Sequence, residues 1–89
     1  MKISENYIMR QIAGEYIIVP TGRAAMDFKG LISLNEVGAF LWRLMQEKEQ
    51  TMSGLLDAVC EEYETDREQA EKDISEFIEK IRREGMLSE

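Results

Sequence analysis

Apolar and polar positions alternate along the first third of the chain, as they do in β-strands. Residues 7–13 and 15–19 are predicted to form two strands joined by a tight connection at Gly14. Pro20 ends the second strand, because a proline nitrogen has no hydrogen to donate to a neighbouring strand. Residues 31–34 are predicted to form a third strand. The short connections favour an antiparallel meander.

The hydrophobic period changes from two residues to about 3.6 at Asn35. An asparagine side chain can accept a hydrogen bond from a free amide in the first turn of a helix, and Glu36 then lies where the helix dipole favours negative charge. The sequence therefore predicts a strand that runs almost directly into a helix over about residues 36–47. The apolar stripe of this helix is formed by Val37, Phe40, Leu41, Leu44 and Met45.

Two further helices are predicted in the second half of the chain. Thr51 is the expected N-cap of the second helix, and Thr65 or Asp66 begins the third. Gly85 is the expected C-cap glycine, after which Met86 folds back onto Ile81. Leu55, Leu56, Val59, Cys60 and Tyr63 form the apolar stripe of the second helix, and Ala70, Ile74, Phe77, Ile78 and Ile81 that of the third.

The order of three strands and then three helices, with no linker or internal repeat, predicts one α+β domain over residues 1–89. Residues 1–6 are expected to be an irregular segment before the first strand. A chain of 89 residues with 44% hydrophobic residues is sufficient for one packed core.

Acidic residues are concentrated in the helical part of the chain. The net charge is −7, whereas residues 1–34 carry four bases and three acids, so the remaining residues carry −8. An acidic surface repels phosphate, which counts against nucleic acid as a partner. It suits a partner with basic groups, or serves to keep a small protein soluble.

The chain has one cysteine and no histidine. A zinc site of Cys and His ligands, or a nucleophile paired with histidine, therefore cannot be built within it. No phosphate-binding loop, dinucleotide fingerprint or metal-ligand cluster is present, so we expect no catalytic residues, no cofactor and no bound metal. With no membrane span, no apolar leader and no possible internal disulfide, we expect a cytoplasmic protein without a membrane partner.

Three stretches of this sequence together resemble the PqqD-like family. The run from Leu34 to Trp42 is similar to that family's LNxxGxxxW junction, and residues 61–66 are similar to its EYxxD stretch. Residues 73–78 with Gly85-Met86-Leu87 resemble its DVxxFL…GLL ending. The resemblance covers nearly the whole chain in order and with the same spacing.

The resemblance implies a winged-helix-like fold and a non-catalytic adaptor for peptides. Members of the family hold the leader segment of a ribosomally made precursor peptide as an added strand, between the third strand and the third helix. They present it to a modifying enzyme, often a radical SAM protein. The founding pathway makes the cofactor PQQ, and relatives serve other modified peptides.

The predicted peptide site combines the edge of the third strand with the facing side of the third helix. An edge strand offers unpaired N–H and C=O groups to an extended peptide, and nearby side chains supply specificity. The expected edge consists of Lys29, Gly30, Leu31, Ile32 and Ser33, and the expected helix positions are the apolar Ile74, Phe77, Ile78 and Ile81 with the polar Asp73, Glu76 and Lys80.

Other interpretations of the same residues remain open at this point. An apolar helix stripe is more often core than groove, and charged residues such as Asp73 and Glu76 more often form a solvated face. Three helices with a small sheet also suit a winged-helix transcription regulator that binds DNA, which is the alternative function. An exposed strand edge can also pair with its own copy and give a homodimer.

Overall fold

The computed structural model describes residues 1–22 and 32–88 of the chain. It confirms the predicted α+β fold, in which a three-stranded antiparallel sheet is followed by three helices. In chain order the elements are β1 Lys2–Ile3, β2 Tyr7–Ile12, β3 Glu15–Pro20, β4 Ile32–Leu34, α1 Glu36–Glu47, α2 Met52–Tyr63, α3 Arg67–Arg83 and β5 Leu87–Ser88.

The larger sheet has the order β2-β3-β4, so β3 is its central strand. A two-residue turn of Ala13 and Gly14 joins β2 to β3, and both residues have positive φ, +52° and +82°. Two such residues form the type I′ turn, whose twist matches that of the strands it connects. The prediction that β2 extends through residue 13 is therefore wrong at Ala13, because the turn needs two residues.

One face of this sheet packs against the helices. Ile18 on β3 is completely buried and lies opposite Met9 on β2 and Ile32 on β4. Tyr7 and Leu34 lie on the same face and also contact the core. The side-chain alternation of the strands therefore places the helices on one side of the sheet.

Each helix begins at the capping residue that the sequence indicates. Thr51 Oγ1 accepts a 3.0 Å hydrogen bond from the Gly54 amide, and Asp66, one of the two predicted candidates, caps α3. At the C-terminal end of α3, Gly85 has φ +74° and the amide of Met86 donates to the carbonyl of Ile81. This pattern is a Schellman motif, and it returns the buried Met86 side chain to the core.

A second, two-stranded sheet joins the two ends of the described chain. β1 pairs antiparallel with β5, and Lys2 lies opposite Ser88. The prediction that residues 1–6 are irregular is therefore wrong at Lys2 and Ile3. Ile3 is buried in the core, and the Ser4 amide donates to the Met86 carbonyl.

The core is centred on residues contributed by all three helices. Trp42 on α1 is completely buried, and its indole N–H has no acceptor within the described residues. Around it lie Ile18, Leu41, Met45, Leu55, Val59, Ile74, Ile81 and Met86. None of the helices in residues 1–22 and 32–88 is both long enough and apolar enough to cross a bilayer.

Candidate functional site

An open groove of about 270 Å³ lies between β4 and α3. Its floor is the start of α1, because the chain turns from β4 directly into that helix at Asn35. The residues that line the groove are Ser33, Leu34, Asn35, Val37, Gly38, Leu41, Asp73, Glu76, Phe77 and Lys80.

Strand β4 forms one side of the groove and is an edge of the sheet as described. It pairs with β3 through Ile32 opposite Ile18, and no other strand in residues 1–22 and 32–88 pairs with it. An edge strand presents a row of main-chain N–H and C=O groups that point away from its partner. This side of β4 can therefore accept a further strand.

Gly38 allows the floor of the groove to be narrow. A Cβ atom placed on Gly38 would lie 3.1 Å from Asn35 Oδ1, 3.4 Å from Leu34 Cβ and 3.6 Å from Phe77 Cδ1. The 3.1 Å distance is shorter than an ordinary van der Waals contact, so a Cβ atom here would press on the capping oxygen, whereas the contacts with Leu34 and Phe77 would be ordinary. Gly38 thus gives a physical reason for the glycine in the junction motif.

Asn35 fixes the direction in which α1 leaves the groove. Its Oδ1 accepts a 2.7 Å hydrogen bond from the Gly38 amide, and its backbone is extended as an N-cap requires. Because both residues also line the groove, the capping bond sets the shape of the floor as well as the start of the helix.

Three charged side chains of α3 line the opposite side of the groove. Asp73, Glu76 and Lys80 are all exposed, and Phe77 between them is 9% exposed. Asp73 Oδ1 accepts a 3.0 Å hydrogen bond from the neutral amide of Gln69, which leaves its charge uncompensated. The groove therefore combines an apolar floor with a charged rim.

The structure distributes the predicted site residues between the groove and the core. Ser33, Asp73, Glu76, Phe77 and Lys80 line the groove together.

The other predicted residues lie elsewhere. Ile74, Ile78 and Ile81 are core residues, with at most 3% of each exposed, and Ile32 is half-buried on the core face of β4. Lys29, Gly30 and Leu31 lie outside the described residues.

Five groove residues were absent from the predicted set: Leu34, Asn35, Val37, Gly38 and Leu41. All five belong to the strand-to-helix junction. The available signal was the junction motif itself, since a glycine three residues after an N-cap indicates close packing at that point.

A second cleft adjoins the groove where β4 ends. It shares Ser33, Leu34 and Asn35 with the groove, and Gly14, Glu15, Tyr16 and Glu36 complete its lining. The guanidinium carbon of Arg43 lies 5.3 Å from the centre of the Tyr16 ring, which is within cation–π range. An extended ligand that leaves the groove at this end would pass two carboxylates.

Tyr63 on α2 interacts electrostatically with Glu36, which lines this second cleft. Its ring packs edge-to-face against Phe40, with ring centres 5.4 Å apart. Burial, followed by the charges of Glu36 and Glu62, raises the pKa of Tyr63 above its ordinary value of 10.0. The charge of Arg43 acts in the opposite direction but is outweighed, so the phenol is neutral at physiological pH.

Two solved structures have the same fold as this chain. One, TbiB1 in complex with the TbiA(beta) leader peptide, is 26% identical with a TM-score of 0.75, over 99% of this chain and 95% of that one. The other, a lasso peptide synthetase B1 complexed with the leader peptide, is 19% identical with a TM-score of 0.72, over 96% of this chain and 93% of that one. At this identity, the likeness shows the fold alone.

No curated protein sequence matches the chain. The family model described as coenzyme PQQ synthesis protein D (PqqD) matches residues 15–87, which include β3, β4, the three helices and the whole lining of the groove. The chain therefore belongs to the PqqD family.

Proposed function

We propose that this protein is a non-catalytic adaptor that binds the leader segment of a ribosomally synthesised precursor peptide. The peptide adds to β4 as a further strand and lies in the groove beside α3. The observation that carries the proposal is the edge of β4 beside a groove with an apolar floor. The similar protein TbiB1, solved with a leader peptide, supports it.

The expected affinity is moderate. Each main-chain hydrogen bond of an added strand contributes a net ~0.5–1.5 kcal/mol, and β4 has only three described residues. Ordering a flexible peptide consumes ~2–5 kcal/mol of the interaction energy. Burial of an apolar peptide side chain over Leu34, Val37 and Phe77 must therefore supply much of the binding energy, and we expect dissociation constants in the micromolar range or below.

A second partner follows from the adaptor role. We propose that the bound peptide is presented to a peptide-modifying enzyme, for which a radical SAM protein of PQQ-type or other peptide biosynthesis is the leading candidate. A homodimer formed through β4 would occupy the same edge, so self-association and peptide binding would compete.

The alternative of a DNA-binding regulator has no support from the site. The groove is lined by two carboxylates and one ammonium group, and residues 66–84 contain seven acids and five bases. DNA recognition normally requires a basic face that releases counterions. A gel-shift assay across a range of salt concentrations distinguishes the two functions, and we expect no salt-dependent shift.

NMR titration with short peptides encoded near this gene tests the adaptor proposal. We expect a binding peptide to shift the amide signals of Ile32, Ser33 and Leu34 and to slow their hydrogen exchange. The amides of β2, on the far edge of the same sheet, provide the internal control and should remain unchanged. If no candidate leader peptide perturbs β4, the proposal is wrong.

A further inference from the structure

The charged residues of the groove follow a fixed order along α3. Asp73 and Glu76 come before Phe77, and Lys80 comes after it. At a rise of about 1.5 Å per residue, Asp73 and Lys80 are separated by roughly 10 Å along the helix axis, with Phe77 between them. The side of the groove formed by α3 is thus acidic at one end, apolar in the middle and basic at the other end.

These charges are not used within the described part of the chain. Two exposed carboxylates elsewhere on the helices are paired, Asp57 with Arg67 at 3.0 Å and Glu79 with Arg83 at 3.9 Å. Within residues 1–22 and 32–88, no opposite charge lies within salt-bridge distance of Asp73, Glu76 or Lys80. No charged group of the described residues therefore competes with a ligand for these three side chains.

The spacing along α3 matches the spacing of side chains on one face of a strand. Residues i, i+2 and i+4 of a strand point to the same side and are about 6.6 Å apart from one to the next. Three such side chains span roughly 13 Å, and the flexible Lys or Arg side chain of a peptide can cover the difference from the 10 Å on the helix.

We propose that the peptide segment bound in this groove carries a basic, an apolar and an acidic residue at alternate positions. The base faces Asp73 and Glu76, the apolar side chain lies over the floor beside Phe77, and the acid faces Lys80. The pattern can run in either direction, because a strand can add to an edge in parallel or antiparallel orientation. This inference rests on the proposed function and specifies the class of peptide.

Selection from a random peptide library tests the pattern without knowledge of the natural partner. The probe is an mRNA-displayed library of peptides about twelve residues long, sufficient to cross the groove as a strand. We expect the enriched peptides to contain the base–x–apolar–x–acid pattern, read in either direction. Binding of the enriched peptides at the groove is verified by the amide shifts of Ile32–Leu34.

Charge-reversed variants provide the matched test. Glu76→Lys and Lys80→Glu each reverse one charge in the groove, whereas Glu71→Lys makes the same change on an exposed position of α3 that does not line the groove. We expect each groove variant to weaken binding of a selected peptide by roughly twofold to fivefold, as for an exposed ion pair, and Glu71→Lys to have no such effect. A peptide in which the base is replaced by a second acid should bind the Glu76→Lys protein more tightly than the wild type.

The outcomes separate this inference from the proposed function. Enriched peptides that shift the β4 amides but lack the charge pattern, or that bind equally to Glu76→Lys and Glu71→Lys, overturn the inference and leave the adaptor function intact. A library from which no peptide binds at β4 overturns both.

Discussion

Asn35 Oδ1 and the amide nitrogen of Gly38 are 2.7 Å apart, and both residues line the groove beside β4. The hydrogen bond between them begins α1 and also holds the junction that forms the groove floor. Thr51 caps α2 with the same geometry, its Oγ1 accepting from Gly54 at 3.0 Å, and does not line the groove. Substitution of these two capping residues can therefore distinguish an effect on stability from an effect on peptide binding.

Removal of either cap should cost a similar amount of stability but affect binding differently. We expect Asn35→Ala and Thr51→Ala each to lower the free energy of unfolding by about 1 kcal/mol. Denaturant unfolding followed by the fluorescence of Trp42, which is the only tryptophan and is completely buried, measures this loss. Calorimetry should show weaker peptide binding for Asn35→Ala alone. Equal weakening in both variants would contradict the assignment of Asn35 to the site.

The apolar stripe of α3 should divide into groove and core positions when it is mutated. Phe77 lines the groove and Ile78 does not, although both are nearly buried. We expect Ile78→Val to lower the free energy of unfolding by about 1 kcal/mol and Phe77→Leu by about 1–2 kcal/mol. At a temperature where both variants are folded, Phe77→Leu should bind the peptide several-fold more weakly and Ile78→Val should bind it normally. The reverse order of affinities would place the site elsewhere.

The turn between β2 and β3 contains a residue in an unfavourable conformation. Ala13 has φ +52°, in the left-handed region. Residues with a Cβ atom are disfavoured there, but asparagine is tolerated better than alanine. We expect Ala13→Asn to raise the free energy of unfolding by about 0.5–1 kcal/mol, since Asn-Gly is the preferred sequence for this turn. Thermal and urea unfolding measure the change. A loss of stability would mean that the turn is not of type I′.

The pH dependence of Tyr63 follows from its environment. Burial raises the pKa of its phenol above 10.0 in the folded protein, so the unfolded chain loses the proton first as the pH rises. Between the unfolded and folded pKa values the folded state binds more protons, and stability should therefore fall with pH in that window. Below pH 10 the contribution is fully present.

Absorbance titration at alkaline pH isolates this group. The difference between the titration curves of the wild type and Tyr63→Phe should have its midpoint above pH 10.0. Tyr63→Phe should also reduce the loss of stability above that pH. A midpoint below 10.0 would contradict the burial of the phenol.

The helices and their starting points follow from local chemistry, and the sequence was sufficient for them. Helix α1 occupies Glu36–Glu47 as predicted, because a change of hydrophobic period and a capping asparagine coincide at one position. The pairing of Lys2–Ile3 with Leu87–Ser88 was not predictable in the same way. Strands of two residues have no periodicity, and their partner lies at the far end of the chain.

The lining of the groove was predicted only in part for a related reason. Helical periodicity placed Ile74, Phe77 and Ile81 on one stripe but could not show which flank of that stripe is covered. Ile74 and Ile81 were therefore grouped with Phe77 although they are core. The floor of the groove was missed because Leu34, Val37 and Leu41 are brought beside Phe77 only by the packing of α3 against the junction. Packing distances of this kind are properties of the fold and not of any local stretch.

The pairing of β1 with β5 has a practical consequence, because it holds Ser88 beside Lys2 and so anchors it to the fold. A guest peptide joined after Ser88 by a flexible Gly/Ser tether starts from the surface of a fold whose longest principal extent is 39 Å. A tether of about 40 residues has a mean span of roughly 35 Å, and such tethers give effective concentrations near millimolar. A weak guest would then remain docked in a single polypeptide regardless of dilution, which makes even short-lived complexes accessible to spectroscopy.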